Sequence, residues 1–202
     1  MSNIVSLKNY KTERRRGTMC QQILDEIASN RRDGYVYAIE DMPDITEKVL
    51  KKVNPHSKYP VPIVKIAREM GFKVYQMPMK DKLSGFIGVG EDVKKDYGHD
   101  KVICVNIDDE IGHQRFVIAH ELAHYLFDYD EMVCSYYDTY EKDSHKPLKE
   151  QIANQFAANL LMPKSEIIND IAGHNITIDL VNRLMDKYQV QDKAILKRML
   201  EV

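Results

Sequence analysis

The segment from Phe116 to Phe127 is almost entirely apolar, yet it contains the pentapeptide His120-Glu121-Leu-Ala-His124. Residues four apart on a helix lie on one face, so both imidazoles can face one metal ion with Glu121 beside it. A helix that is apolar nearly all round is buried centrally, which predicts a core helix over residues 112–128. Two histidines at this spacing with a flanking carboxylate are typical of zinc-dependent peptide hydrolases.

Glu150 is the candidate third ligand. Catalytic zinc takes three protein ligands and leaves one position for water. Residues 148–161 have helical periodicity, stopped by Pro163, and Glu150 begins a face on which Asn154 follows one turn later. We expect Asn154 to orient a ligand histidine through the ring nitrogen that does not bind zinc. The alternative is that Glu150 is a solvated carboxylate, favoured at a helix start by the helix dipole.

These segments resemble the ImmA/IrrE-type metallopeptidases of bacteria and their mobile elements. The resemblance rests on residues 115–124 (Arg-Phe-Val-Ile-Ala-His-Glu-Leu-Ala-His), on residues 150–163 and on the strand-like run 102–107. It implies a cytoplasmic endopeptidase with one zinc ion (Zn2+), held by His120, His124 and Glu150, and with Glu121 as catalytic acid/base. It also implies a protein substrate, namely a helix-turn-helix repressor of a phage or conjugative element.

The segment between the two ligand helices, residues 128–146, contains three candidate donors to a developing oxyanion. They are Tyr136, Tyr137 and His145, chosen by residue type and location alone. A second hypothesis is a metal-bearing regulatory binding module that controls a repressor by contact without turnover. Glu121 favours the enzyme, because a structural zinc site fills all four positions with protein ligands and does not need this carboxylate.

The composition is that of an ordinary globular protein, with 44% hydrophobic and 30% charged residues and a net charge of −2. No segment approaches the roughly 18 continuous apolar residues of a membrane span, so no membrane partner is expected. The N-terminus lacks an apolar signal region, and the three cysteines share no CxxC spacing. Both features predict a cytoplasmic protein.

We predict an α+β fold, with a mostly helical, zincin-like metallopeptidase core and a small antiparallel sheet of about three strands packed on the HExxH helix. The core is expected over residues 61–164. An N-terminal helical extension over residues 1–60, of which 1–16 are flexible, precedes this core. A C-terminal helical subdomain over residues 165–202, similar to a helix-turn-helix, is expected to pack on it.

The individual elements follow from hydrophobic periodicity and from Pro and Gly breaks. The predicted helices are 18–29, 44–53, 61–70, 112–128, 148–161, 165–172, 177–188 and 191–200. The predicted strands are 72–77, 84–89 and 101–107. The polar stretch 91–100 is interpreted as a hairpin loop. Strand 101–107 is interpreted as an exposed edge that an extended substrate could join.

The last two predicted helices also raise the hypothesis of a DNA-binding regulator. Residues 165–202 contain five Lys or Arg and six Asp or Glu. Phosphate contacts supply most non-specific DNA affinity and need a basic face. Direct nucleic-acid binding is therefore not expected, and the helical pair is expected to pack on the core or to bind the protein substrate.

Overall fold

The computed structural model describes Ile23, Ile27 and residues 38–80, 83–127, 137–138 and 148–202. The elements in chain order are a 3-10 turn (Ile39–Asp41), α1 (Met42–Val53), α2 (Ile63–Glu69), β1 (Lys73–Met77), β2 (Gly85–Val89), α3 (Glu91–Tyr97), β3 (Lys101–Asn106), α4 (Ile111–Phe127), β4 (Tyr137–Asp138), α5 (Leu148–Leu161), α6 (Lys164–Ile171), α7 (Ile178–Tyr188) and α8 (Asp192–Leu200). The α+β class is confirmed. The predicted flexible lead-in, residues 1–16, lies outside the described residues, and the three domain boundaries stay predictions.

The strands form one mixed sheet in the order β1-β3-β2-β4. β2 is antiparallel to β3, as predicted, and also to the short strand β4, which was not predicted, whereas β1 is parallel to β3. The prediction of a purely antiparallel sheet was therefore wrong. Parallel neighbours need a long crossover connection, and residues 78–100, which include β2 and α3, supply it between β1 and β3.

β3 lies in the middle of this sheet, so the prediction that it offers an exposed edge to an extended substrate was also wrong. β1 pairs with one side of β3, with Lys73 opposite Val102, and β2 pairs with the other side, with Gly85 opposite Val105. Residues 102–106 are all buried. A strand covered on both faces has a continuous apolar run instead of an alternating one, which is why its sequence does not indicate an edge or a centre.

The polar stretch predicted as a hairpin loop is the short helix α3. It begins after Gly90 and ends at Gly98, whose φ of +72° is the left-handed helix cap that glycine adopts most easily. Only Val93 of this helix is buried. A helix with a single buried residue has no apolar period, and its two flanking glycines resemble turn signals.

The central helix α4 lies directly against β2. Gly85 of β2 makes this possible, because a Cβ added there would lie 2.4 Å from Val117 Cγ1 on α4. The same Cβ would lie 2.6 Å from the carbonyl oxygen of Cys104 on β3. A residue without a side chain is therefore needed where the sheet crosses the helix.

α5 packs against α4 and also contacts α1. Its small residues Ala153 and Ala157 are fully buried, which lets neighbouring helices approach closely. α8 holds the end of α5 through Arg198, whose Nε donates to the carbonyl oxygen of Met162 at 2.9 Å and whose guanidinium also donates to Asn159. None of the helices in the described ranges is long and apolar enough to cross a membrane.

Candidate metal centre

Two adjacent helices bring three ligand-type side chains together. His120 and His124 lie one turn apart on α4, and their Nε2 atoms are 3.0 Å from each other. Glu150, in the first turn of α5, places Oε2 at 3.4 Å from His120 Nε2 and Oε1 at 3.1 Å from His124 Nε2. Each residue offers one ligand atom, and these three atoms all lie within 4.8 Å of one another. The sequence analysis grouped the same three residues.

The spacing of these atoms fits a tetrahedral ion. Two ligand atoms that are each about 2.0–2.1 Å from a tetrahedral zinc ion are roughly 3.3 Å apart. The two ring nitrogens are 3.0 Å apart, and their contacts with Glu150, which go to different carboxylate oxygens, are 3.1 and 3.4 Å long. Two imidazole nitrogens and one carboxylate are also a usual donor set for catalytic zinc. The chemistry and the spacing of the residues thus both fit a single divalent cation.

Asn154 fixes the orientation of His120. Asn154 lies one turn after Glu150 on α5, and its Oδ1 is 3.1 Å from His120 Nδ1. An amide oxygen can only accept a hydrogen bond, so Nδ1 of the ring is the donor and Nε2 presents its lone pair to the cluster. This is the contact that the sequence analysis predicted for Asn154.

Burial and mutual contacts shift the pKa values of Glu150 and His120. Burial alone would raise the pKa of the Glu150 carboxyl, but its polar contacts with the His120 and His124 imidazoles outweigh burial and lower that pKa to about 2. Burial lowers the pKa of His120 more strongly than the neighbouring Glu150 raises it. A charged carboxylate beside a neutral imidazole is the state in which both groups donate lone pairs to a cation.

The two histidines of the cluster are more deeply buried than its carboxylate. The side chain of His124 is completely buried, whereas that of Glu150 keeps 18% of its surface exposed. Glu121, the next residue after His120, is completely buried. Among the three side chains of the cluster, that of Glu150 is therefore the most exposed to solvent.

The remaining predicted site residues are less well placed by the structure. Tyr136 and His145 lie outside the described residues. The backbone of Tyr137 belongs to β4 and pairs with Ile87 of β2, but its side chain is also outside what the structure describes. The role of these three residues as oxyanion donors stays a prediction.

A further histidine on the same face of α4 was not among the predicted site residues. His113 lies seven residues before His120, which is two turns along the same face of α4. Its Nε2 is 3.0 Å from Ser84 Oγ and 3.7 Å from Asp109 Oδ2. The spacing of seven residues from a ligand histidine was the signal that could have identified it.

Comparisons with known proteins agree with this geometry. Residues 67–200 match the model of a peptidase family described as the IrrE N-terminal-like domain. The chain belongs to this family. The matched residues include both helices of the cluster, and the resemblance drawn from the sequence is confirmed. As a member of the IrrE N-terminal-like family, the chain is related to metalloproteases.

Individual relatives of this IrrE-like chain match less of it. It is 38% identical over 71 residues to the radiation response metalloprotease IrrE of Deinococcus deserti, an alignment that covers 35% of this chain and 25% of the relative. A solved structure described as a Mycobacterium tuberculosis transcriptional regulator superposes with a TM-score of 0.55 at 17% identity. That superposition covers 89% of this chain and 51% of the other, and at this identity it shows a shared fold alone.

Proposed function

We propose that this chain is a zinc-dependent endopeptidase that hydrolyses a peptide bond in a regulatory protein. The observation that carries the proposal is the convergence of His120, His124 and Glu150 at ligand spacing, with Glu121 next to His120 in the chain. A cluster of three ligands leaves one of four tetrahedral positions for water, which is the composition of catalytic and not of structural zinc sites. Membership in a metalloprotease family supports the same conclusion.

The chain's own residues have separable tasks in this reaction. His120, His124 and Glu150 would hold the ion, which when bound supplies a Lewis acid that polarises the scissile carbonyl and makes water more acidic. A carboxylate oxygen of Glu121 would accept a proton from the attacking water and then deliver it to the leaving amine. Asn154 Oδ1 would keep the proton of His120 on Nδ1 throughout. Tyr136, Tyr137 and His145 are the proposed oxyanion donors.

The proposed substrate class is a helix-turn-helix repressor of a phage or mobile element, which places the enzyme in the cytoplasm. The resemblance to ImmA/IrrE-type peptidases supports this choice. The Deinococcus relative is described as a radiation response metalloprotease. That description links its proteolysis to a response, and so favours a regulatory protein over general protein turnover as the substrate.

Two substitutions test the assignment with the full chain, using the purified helix-turn-helix repressor encoded nearest to its gene. We expect Glu121→Gln to keep its zinc but to slow cleavage by about 10²–10⁴-fold, the usual contribution of a general base. We expect Glu150→Ala to lose zinc on metal analysis. Glu91→Gln, a change on the exposed helix α3, is the matched control and should keep both zinc and cleavage. Full cleavage by Glu121→Gln would remove that residue from the mechanism.

One observation favours a second candidate, a metal-bearing binding module that controls a repressor by contact without turnover. His124 and Glu121 are both completely buried, and a site covered to this degree on the histidine side suits a stable metal centre as well as a reactive one. The same experiment separates the two. The binding module is the correct assignment if the protein binds both zinc and the repressor but leaves the repressor intact with and without chelator.

A further inference from the structure

An open apolar groove lies at the start of α4, away from the metal centre. It runs between the first turn of α4, the loop before α7, and the helices α7 and α8, and it encloses about 940 Å³. The aliphatic residues along it are exposed, namely Ile111 by 58%, Ile176 by 64%, Ile178 by 79% and Leu196 by 43%. Within the described part of the chain, these are four of the eight large hydrophobic side chains that are exposed. Their clustering marks an interaction surface, whereas single exposed aliphatics are ordinary.

The floor of this groove, which we call the α7–α8 groove, is held in place by close packing. A Cβ added to Gly112 of α4 would lie 3.0 Å from the backbone of Val190 and Gln191, in the turn between α7 and α8. The side-chain amide of Gln191 also donates to Glu110 Oε2 at 3.0 Å. The opposite face of α7 is anchored in the core by Leu180 and Leu184. The groove is therefore preformed, and a partner would not have to assemble it.

The charge along the groove has one sign. Three carboxylates line it, from Glu110, Asp186 and Asp192, and among the described residues no Lys, Arg or His does so. The contacts of Glu110 and Asp192 with the Gln191 amide and with a backbone N–H are to neutral groups. The net charge of the whole chain is only −2, so this concentration of acids is local. Electrostatic complementarity favours a partner with cations beside an apolar face.

We infer that the α7–α8 groove docks a basic amphipathic helix of the protein substrate and acts as an exosite for the metal centre. An apolar groove between helices is a common receptor for the apolar face of such a helix, and its Lys or Arg flanks would meet the three carboxylates. Gly112 in the groove and His120 in the cluster are eight residues apart, or roughly 12 Å along α4. A domain-sized substrate can therefore contact both. Helix-turn-helix proteins need basic surfaces for phosphate contacts, which matches this acidic rim.

The inference rests on the proposed function only where it calls the docked protein a substrate. Binding at the groove needs no metal and no cleavage, so it is tested directly. The probe is a fluorescein-labelled amphipathic helix of about five turns (~18 residues), with leucines on one face and lysines on both flanks. A second peptide with the same leucines and with glutamates in place of lysines is the matched probe. Anisotropy is measured on the full chain at about 50 mM and about 300 mM salt.

Two groove variants and two controls make the binding test specific. Ile178→Ser and Asp186→Lys change exposed groove residues, so the folded state should keep its far-UV circular dichroism and its thermal midpoint. We expect each to weaken binding of the lysine peptide by about tenfold or more, as for central interface residues. The controls Ile168→Ser on α6 and Asp100→Lys before β3 should bind like the wild type. The glutamate peptide should not bind, and high salt should weaken the lysine peptide.

Cleavage kinetics then test the exosite role. With the whole repressor as substrate, Ile178→Ser should raise KM by about tenfold at unchanged kcat, the pattern of lost uniform binding. With a short peptide spanning the cleavage site, the same variant should match the wild type. Equal binding of the lysine peptide by wild type and both groove variants would overturn the docking site. Groove-dependent peptide binding with unchanged repressor kinetics would overturn the exosite.

Two further outcomes keep the proposals distinct. If no variant cleaves the repressor while peptide binding still depends on the groove, the proposed function fails and the docking surface stands. If sedimentation velocity of the full chain shows a dimer that Ile178→Ser dissociates, a second copy of this chain is the occupant and the inference is overturned.

Discussion

Replacing Gly85 by alanine tests whether the contact between β2 and α4 positions the metal-bearing helix. The new Cβ would lie 2.4 Å from Val117 Cγ1 and 2.6 Å from the carbonyl oxygen of Cys104. The second neighbour is backbone in the central strand β3, and no rotamer change can move it. Overpacking costs about 1–3 kcal/mol, and the immovable backbone neighbour places this site at the upper end of that range. Gly to Ala otherwise stabilises by about 0.4–1 kcal/mol through the unfolded chain, and we still expect a net loss of about 2 kcal/mol.

Gly88 in the same strand provides the matched control. A Cβ there would lie 3.0 Å from Val93 Cγ2 and 3.2 Å from Val102 Cγ2, and both neighbours are side-chain methyl groups. This milder contact roughly offsets the gain through the unfolded chain, so Gly88→Ala should stay within about 1 kcal/mol of the wild type. The two variants therefore separate the effect of a close backbone approach from the general effect of adding a methyl group to β2.

Urea unfolding followed by far-UV circular dichroism measures both variants. With m of about 1–3 kcal/mol/M, a loss of about 2 kcal/mol lowers the urea midpoint by roughly 1 M. Adding Val117→Ala to Gly85→Ala should recover only part of this loss, since the contact with the Cys104 carbonyl oxygen remains. A Gly85→Ala protein with a midpoint equal to or above that of the wild type would refute the reasoning. It would mean that β2 and α4 can separate at little cost.

Two other predictions concern the site and the C-terminal helices. Asn154→Ala removes the acceptor that holds Nδ1 of His120. Competition with a chelating dye should then show about 10–100-fold weaker zinc binding. The neighbouring change Gln155→Ala is the control and should leave the zinc affinity unchanged. Burial, with Glu166 and Asp170 adding to it, raises the pKa of Tyr59 to about 12, and burial also raises the pKa of Tyr188. The unfolded chain then loses these protons first, so stability should be full below about pH 10 and fall as the pH rises towards 12. Urea midpoints across this range should show the fall, and Tyr188→Phe should make it shallower; a flat profile would contradict the burial of both hydroxyls.

The site was predictable from the sequence because each of its parts is local. His120 and His124 are related by one helical turn, and so are Glu150 and Asn154. Periodicity fixes such relations within a helix. The only long-range step was to pair the two helices, and the ligand number of catalytic zinc supplied it, since a pair of histidines lacks a third ligand.

The errors in the sheet have the opposite origin. Strands 73–77 and 101–106 were both predicted within one or two residues, yet their mutual direction and the central place of β3 were not. A fully buried apolar run has the same appearance whichever neighbours it pairs with. The position of a strand in a sheet depends on partners far away along the chain. A single sequence does not show which strands pair. The α7–α8 groove could not be predicted either, because it is formed by segments far apart in the chain. From the sequence alone, its residue Ile178 resembles a core residue.

The proposed metal site depends on the register between α4 and α5 more than on any single ligand. A shift of α5 by one residue would turn Glu150 by about 100° away from the histidines and would carry Asn154 with it. Both contacts to α4 would then be lost together, since the ligand and the residue that orients His120 share one helix face. The packing of Ala153 and Ala157 and the hydrogen bond from Arg198 to the carbonyl of Met162 therefore help to hold this register. Core substitutions along α5 should therefore lower zinc affinity even though they leave all three ligand residues in place. In that sense the interface between α4 and α5 is part of the site.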